Sequence, residues 1–279
     1  MKSIVIGSSG LIGRYLSTFL KHKEGHCIQV SRYKSSRNQL ALDLALNEND
    51  WDELPYADVA IICAGITAIS DCESNKSLAS KVNFQNSLRL TEKLVSEGTF
   101  VLNLSSSLVF PNSNLLFSED DQANPSSEYA IQKVNLENAV KNLFPQTAIL
   151  RLTKVISNEF NLFNTWSDSL RSGKIIHPFQ NKYFAPVSIN KVVEAIYKIL
   201  KEKACGIWHL SGGEKKSYAD SAIKLSYWIL EDSNLVVPVD SNEKSLQNGA
   251  IILGMKKTCH DLGIQVQEFD ECMKSYFLN

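Results

Sequence analysis

The feature that most constrains this chain is a glycine-rich segment between a short apolar run and an amphipathic stretch. Gly7, Gly10 and Gly13 recur at intervals of three, after the apolar run at residues 3–6 and at the start of a helical pattern at residues 11–21. Glycine permits a tight turn, and a helix start offers free N–H groups and a partial positive charge to a phosphate. This context predicts dinucleotide binding, against the alternative of a plain structural turn. The expected contacts are Gly7, Ser9, Gly10, Leu11, Ile12 and Gly13.

The first half of the chain alternates short apolar runs with longer amphipathic stretches. Such alternation predicts βαβ units, and the right-handed crossover rule then favours an α/β fold with a Rossmann-type doubly wound parallel sheet. The predicted strands cover residues 3–6, 27–30, 59–63, 100–104 and 147–150, and the predicted helices cover residues 11–21, 77–96 and 128–143.

From about residue 154 the pattern loosens, which is typical of a small C-terminal substrate-binding lobe. A helix at residues 190–203 and a strand at residues 206–210 then follow. We therefore assign residues 1–153 to an NAD(P)-binding Rossmann domain. Residues 154–279 form mainly the substrate-binding lobe, with about residues 184–210 returning to the Rossmann core.

Composition excludes several classes of partner. The formal net charge of −1 gives no global field for nucleic acid or an anionic membrane, so we expect neither partner. The first apolar run ends too early for a signal peptide or a membrane span, which predicts a cytoplasmic protein. Six cysteines lack a C-x-x-C pair, so we expect no metal site and no disulfide framework.

The end of the second strand bears on the choice of dinucleotide. Many NAD-binding folds place an acid there, whereas this chain continues from Val30 with Ser31 and Arg32. A guanidinium can pair with the extra 2′-phosphate of NADP, which favours NADPH, with NADH possible. The alternative is a solvated basic loop. Asp43 and Leu44 are further candidates at the adenine, and Ala64 and Gly65 at the close of the next strand.

A tyrosine and a lysine share one face of a predicted helix. Tyr129 and Lys133 are four residues apart, and an ammonium beside a phenol lowers the phenol pKa, which would suit proton transfer at neutral pH. This pattern alone is often coincidence. Residues 105–107, three serines, follow a predicted strand at the edge where parallel sheets bind ligands, and a hydroxyl there can stabilise an alkoxide. The alternative for these serines is a polar strand end.

Taken together, these motifs resemble the ordered signature of the extended short-chain dehydrogenases/reductases. Within that family the chain looks most like the dTDP-4-dehydrorhamnose reductases and related nucleotide-sugar reductases. The residues that carry the resemblance are Gly7, Gly10, Gly13, Ser105, Ser106, Ser107, Tyr129, Lys133, Ile149, Leu150 and Arg151. The resemblance implies a role in polysaccharide biosynthesis and a nucleotide-diphosphate sugar as substrate, and it suggests a homodimer.

The resemblance also implies roles for individual residues. Ser106 would hold the substrate carbonyl, Tyr129 would donate the proton, and Lys133 would bind the nicotinamide ribose and lower the tyrosine pKa. Tyr129 and Lys133 are therefore both catalytic and cofactor-binding candidates. Asn83 matches a supporting asparagine beneath the active site, although a mid-helix asparagine can equally be a packing residue.

Departures from the family pattern narrow the reaction. Ser107 stands where rhamnose reductases usually have Asp, and Leu108 stands where related dehydratases or epimerising synthases have Glu or Cys. Neither side chain can exchange a proton with a sugar carbon, which disfavours dehydration and double epimerisation. The leading hypothesis is NADPH-dependent reduction of a keto group, on a 4-keto-6-deoxysugar. The alternatives are a 4-epimerase that retains NAD and a non-catalytic, NADP-binding regulatory subunit.

Overall fold

A parallel sheet of seven strands, counted over the described part of the chain, forms the centre of the fold. The computed structural model describes residues 1–34, 39–47, 51, 54–113, 115–241 and 251–278. The strands are β1 (Ser3–Ile6), β2 (Ile28–Ser31), β3 (Gln39–Ala41), β4 (Val59–Ile62), β5 (Phe100–Ser106), β6 (Leu116–Phe117), β7 (Thr147–Leu152), β8 (Lys154–Ile156), β9 (Tyr183–Phe184), β10 (Pro186–Ser188), β11 (Gly206–Leu210), β12 (Lys216–Ser217) and β13 (Ile252–Leu253).

Helices cover both faces of this sheet and build the C-terminal region. They are α1 (Leu11–Glu24), α2 (Ile69–Ser74), α3 (Lys76–Ser80), α4 (Asn86–Ser96), α5 (Glu128–Val140), α6 (Asn161–Arg171), α7 (Ile189–Glu202), α8 (Tyr218–Leu230), α9 (Lys256–Leu262) and α10 (Phe269–Leu278). A π-helical turn (Lys81–Gln85) joins α3 to α4, and 3-10 turns occupy Ser107–Val109 and Lys141–Leu143. None of the helices in the described residues combines the length and the apolar character that a membrane span requires.

The strand order places the ligand-binding edge. The sheet runs β3-β2-β1-β4-β5-β7-β11, and every neighbouring pair is parallel. The order reverses between β1 and β4, and such sheets bind ligands in the crevice beyond the carboxyl ends of the strands at that reversal. The predicted Rossmann-type doubly wound parallel sheet is confirmed.

Side chains of the central strands alternate between two apolar layers. Val5 faces the cluster that contains Leu16 of α1, whereas Ile4 and Ile6 face the cluster that contains Leu90 of α4. This alternation follows from the two-residue period of a strand, and each helix buries the stripe that repeats every three or four residues. Both faces of the sheet are therefore covered, as parallel sheets require.

The predicted helix at residues 77–96 is not continuous. The structure has α3, then the π-helical turn, then α4. The π-helical turn contains Asn83, which is buried and hydrogen-bonded, and Asn86 follows in α4, buried as well. Single π-helical turns are rare and often occur at functional sites. Their wider turn does not follow from an amphipathic pattern, which explains the difference from the prediction.

The C-terminal region has its own apolar cluster. It joins α6, α8 and α10 through buried residues such as Phe163, Leu225 and Met273. Between these helices along the chain, α7 packs on the central sheet and β11 pairs with β7 at its edge. The division into a Rossmann domain and a substrate lobe at residues 153 and 154 stays a prediction.

Candidate functional site

The segment of residues 7–13, called the glycine loop below, leaves β1 at the reversal of the sheet. Gly7 has a φ of +86°, a conformation that favours glycine. The N–H groups of Gly7 and Ser8 donate to the carbonyl of Val30 at 2.8 and 2.9 Å, which ties the loop to the end of β2. A Cβ at Gly7 would lie 2.5 Å from the nitrogen of Ala64, so β1 and β4 approach too closely here for any side chain.

The steric constraints on the three glycines differ. A Cβ at Gly13 would lie 2.2 Å from the Gly7 carbonyl oxygen, so this position also requires glycine for internal packing. At Gly10 a Cβ would meet only the Gly7 oxygen at 3.4 Å, and its φ of −75° suits any residue. The protein itself does not need a glycine at position 10. The open space over the start of α1 therefore fits a group from outside the chain.

The start of α1 can attract an anion. Gly10 caps the helix without a side-chain hydrogen bond, and the first turn carries no acidic residue. The N–H groups of Leu11 and Ile12 lack intrahelical partners at this position, so the positive end of the helix dipole is uncompensated. Ser9 and Gly10 are exposed at the same edge. The predicted diphosphate contacts thus lie together and fit a dinucleotide.

The end of β2 brings Arg32 and Asp43 together. Their side chains approach to 3.7 Å, and Arg32 is half exposed. Asp43 also accepts a hydrogen bond from the Ala45 N–H at 2.8 Å. Ser31 donates to the Tyr33 carbonyl at 2.6 Å, so its hydroxyl is engaged within the loop. The rest of the basic segment, residues 35–38, lies outside the described residues.

Asn83 holds the segment after β4. Its Oδ1 accepts from the Ile66 N–H at 2.8 Å, and its Nδ2 donates to the Ile66 carbonyl at 2.9 Å and to Gln132 Oε1 at 2.8 Å. A Cβ at Gly65 would lie 3.0 Å from the same Oδ1. Ala64 and Gly65, the predicted cofactor contacts, are thereby fixed against α5. Leu44 is buried, and its carbonyl accepts from Asn86.

The predicted catalytic residues meet where α5 packs on the end of β5. Ser127 caps α5 by accepting from the Ala130 N–H, and Tyr129 and Lys133 are both buried on the inner face. The hydroxyl of Ser106 lies close enough to the Tyr129 phenol to lower its pKa. Lys133 Nζ donates to the Leu104 carbonyl at 2.9 Å, and it lies 5.8 Å from the centre of the Tyr129 ring.

Burial decides the ionisation of this pair. Desolvation raises the pKa of Tyr129 to about 12, although the Ser106 hydrogen bond opposes the shift. Desolvation likewise lowers the pKa of Lys133 to about 8. The expected depression of the tyrosine pKa by Lys133 is therefore not found in the structure: the cost of burying a phenolate dominates the shift, and the opposing influence comes from Ser106. Tyr129 carries its proton at neutral pH, which is the form required of a donor.

The surrounding thiols are neutral. Burial raises the pKa of Cys63 to about 12, and it also raises the pKa of Cys72, which packs in the same apolar cluster as Tyr129. Leu108 contacts that cluster as well. All six cysteines are free, and no group of three or more potential metal ligands occurs among the residues described.

A buried polar cluster lies behind Tyr129 and Lys133, and the sequence predicted no role for it. Ser105 Oγ donates to Glu137 Oε1 at 2.5 Å, and Arg151 Nη2 donates to Glu137 Oε2 at 2.7 Å. Arg151 Nη1 lies 3.2 Å from His209 Nε2. Because arginine only donates, this nitrogen accepts, and the other ring nitrogen carries the hydrogen and donates to the Gly254 carbonyl at 3.2 Å. The sequence signal that could have revealed this cluster is the position of Glu137, four residues after Lys133 on the same face of the helix.

Two curated relatives resemble most of the chain. A probable low-salt glycan biosynthesis reductase, Agl14, of Haloferax volcanii is 24% identical over 250 residues, which cover 85% of this chain and 83% of the relative. The methionine adenosyltransferase 2 subunit beta of Bos taurus is 22% identical over 240 residues, which cover 80% of this chain and 70% of the relative.

A solved structure and a family model extend the similarity to nearly the whole chain. A dTDP-4-dehydrorhamnose reductase from Bacillus anthracis, solved in complex with NADP, superposes with a TM-score of 0.87 at 18% identity, covering 99% of this chain and 97% of that one. At this identity the likeness shows the shared fold. The predicted class, an NAD(P)-dependent oxidoreductase of the extended short-chain dehydrogenase/reductase type, is confirmed. Because the family model matches residues 1–277, the chain belongs to the RmlD substrate binding domain family.

Proposed function

We propose that the protein reduces a keto group on a nucleotide-diphosphate sugar, a 4-keto-6-deoxysugar, at the expense of NADPH in the cytoplasm. The observation that carries the proposal is the meeting of a protonated phenol, a serine hydroxyl and a lysine where α5 packs on β5. This junction lies at the same edge of the sheet as the glycine loop. When bound, NADPH supplies the hydride.

The dinucleotide would be held by backbone and side-chain groups along that edge. The glycine loop offers its diphosphate the N–H groups at the start of α1. Arg32 would leave Asp43 in part to pair with the 2′-phosphate, and Lys133 would donate to the ribose next to the nicotinamide. Asn83 would keep the segment after β4 in place against α5.

The protein's own residues supply the proton and orient the carbonyl. Ser106 would donate to the substrate carbonyl oxygen, and Tyr129 would transfer its phenolic proton to that oxygen as negative charge develops on it. Lys133 would stabilise the phenolate that remains, because its ammonium lies on the same face of α5. Leu108, which packs beside Tyr129, cannot exchange a proton with a sugar carbon, and this favours simple reduction.

A matched pair of tyrosine variants tests the reaction. NADPH consumption is measured against a panel of keto-sugar nucleotides, and Tyr129→Phe should lower kcat by about 100-fold or more while NADPH still binds. Tyr197→Phe, which removes a hydroxyl of α7 that donates to Glu24 of α1, should leave turnover unchanged. Turnover without added NADPH, with NAD copurifying, would indicate the epimerase instead.

The similarity to a protein named as subunit beta of methionine adenosyltransferase 2 favours the alternative already raised by the sequence, a non-catalytic regulatory subunit that binds NADP. Retention of Ser106, Tyr129 and Lys133 at one junction of α5 and β5 supports the reductase, because a regulator needs no proton donor. Tight NADPH binding with no consumption on any keto-sugar nucleotide would replace the first proposal by this one.

A further inference from the structure

Three successive residues of β5 contact three residues of α5 that are spaced by four. The Ser106 hydroxyl faces Tyr129, the Leu104 carbonyl accepts from Lys133, and Ser105 donates to Glu137. Residues at positions i, i+4 and i+8 form one stripe along a helix. The stripe that carries Tyr129 and Lys133 is therefore completed by a carboxylate, and each member has its own partner on the strand.

Glu137 is fixed more firmly than either of the other two. Arg151 of β7 approaches both of its oxygens, with Nε at 3.1 and 3.2 Å and Nη2 at 2.7 Å, and both side chains are buried. Arg151 in turn lies 4.9 Å above the Phe110 ring and contacts His209 of β11. One carboxylate thus joins α5 to β5 directly and, through Arg151, to β7 and β11.

Stability alone is a poor reason for this arrangement. Removing two charges from water costs several kcal/mol per ion, and well-packed apolar residues of similar volume are often at least as stabilising. Part of the central sheet already has such a core, with Leu102 and Leu150 fully buried. A buried ion pair beside the proposed proton donor therefore points to a task other than packing.

The groups around Lys133 indicate that task. Its ammonium is fully desolvated, which lowers its pKa to about 8, and Glu137 is the largest influence in the opposite direction. The other groups that face it are Cys63 after β4 and Cys72 of α2, both neutral thiols, and Tyr129 on its own helix. The carboxylate of Glu137 is thus the one full negative charge among these groups of the described residues.

We propose that Glu137 is a positioning residue, whose carboxylate, held by Arg151 and Ser105, fixes α5 on the end of β5 and keeps Lys133 charged beside Tyr129. The inference rests on the proposed function, since it gives Lys133 and Tyr129 their roles. It predicts two separate effects, one on the titration of Lys133 and one on the turnover that needs the correct register of α5.

The first effect is measured without any ligand. In protein labelled with 13C at the lysine Cε, one signal should titrate near pH 8 and disappear in Lys133→Met. In Glu137→Gln, which keeps the shape and removes the charge, the midpoint should fall by about one pH unit. Glu119→Gln is the matched control, because this partly buried carboxylate lies 3.9 Å from His209 at the far end of the cluster. Its midpoint should equal that of the wild type.

A midpoint that stays in place in folded Glu137→Gln would overturn the proposal. If that variant does not fold, Glu137→Met combined with Arg151→Met removes both charges without leaving one unpaired, and the midpoint must fall there as well. This readout requires neither NADPH nor a substrate. The titration therefore tests the role of Glu137 even if the wild type shows no turnover. Absence of turnover would contradict only the proposed function.

The second effect is measured by kinetics. Ser105→Ala removes the hydrogen bond between β5 and Glu137 but keeps the charge, so kcat should fall about tenfold with the KM for NADPH and the Lys133 midpoint unchanged. Ser221→Ala, which removes another buried, hydrogen-bonded hydroxyl, from α8, should leave kcat unchanged. Equal kcat values in the two serine variants would show that the contact has no positioning role.

Discussion

The glycine loop and the α5–β5 junction lie at the same edge of the sheet but are built from different parts of the chain. In the loop the backbone forms the site, and side chains matter chiefly by their absence at positions 7, 10 and 13. At the junction buried side chains form the site, through Tyr129, Lys133 and Glu137. A backbone site depends on space, whereas a side-chain site depends on protonation. The two should therefore respond to different perturbations.

The largest contrast in unfolding free energy is expected within the glycine loop, between a Gly→Ala substitution at position 13 and the same substitution at position 10. Gly13→Ala puts a Cβ 2.2 Å from a backbone oxygen and should cost about 3 kcal/mol of unfolding free energy. Gly10→Ala meets only one atom, at 3.4 Å, and should leave the unfolding free energy within about 0.5 kcal/mol of the wild type. Chemical denaturation of the two variants measures the difference.

The same pair also tests the fit of the dinucleotide. If the open space over Gly10 accommodates the diphosphate, Gly10→Ala should lose NADPH binding at unchanged stability. Titration calorimetry with NADPH checks this. A Gly10→Ala protein that binds NADPH as tightly as the wild type would mean that the diphosphate lies elsewhere.

The contrast also explains what the sequence can predict. The glycine loop is local, so its spacing and its flanking strand and helix are visible within thirteen residues. The junction is not local: Ser105 and Glu137 are 32 residues apart, and Arg151 and His209 are 58 apart. The direction of the Tyr129 pKa shift was missed because the local pattern contains the ammonium but not the burial. The π-helical turn escaped for a related reason, since the partners of Asn83 come from distant segments.

A smaller effect, restricted to the junction, concerns acid. Burial, and then the charge of Arg151, lowers the pKa of His209 to about 3 from an ordinary value of 6.5. Between those pH values the unfolded chain binds a proton that the folded protein does not, so stability falls as the pH falls through this window. At pH 4.5 the loss attributable to His209, relative to pH 7, should be about 2.5 kcal/mol.

Urea unfolding at pH 7 and at pH 4.5 measures that loss. His209→Gln has no titrating ring, so the drop between the two pH values should be smaller than in the wild type by the contribution of His209. His260→Gln, which replaces an exposed histidine, should show the wild-type drop. Equal drops in the wild type and in His209→Gln would mean that the histidine is protonated in the folded protein and that its assignment as an acceptor is wrong.

The smallest effect lies outside the two regions, at Arg32, which follows the end of β2. Its guanidinium is half exposed and already shares Asp43, so the gain from pairing with a 2′-phosphate is limited to about one charged hydrogen bond. Arg32→Ala should therefore weaken NADPH binding about tenfold and leave NADH binding unchanged, whereas Arg171→Ala in the C-terminal region should change neither. Tighter binding of NADH than of NADPH by the wild type would overturn the preference. Arg32→Ala would instead improve NADH binding only if the Asp43 carboxylate, released from Arg32, accepts hydrogen bonds from the ribose hydroxyls. In that case the choice between NAD and NADP at this edge depends on the Asp43 side chain and not on the space available to the dinucleotide.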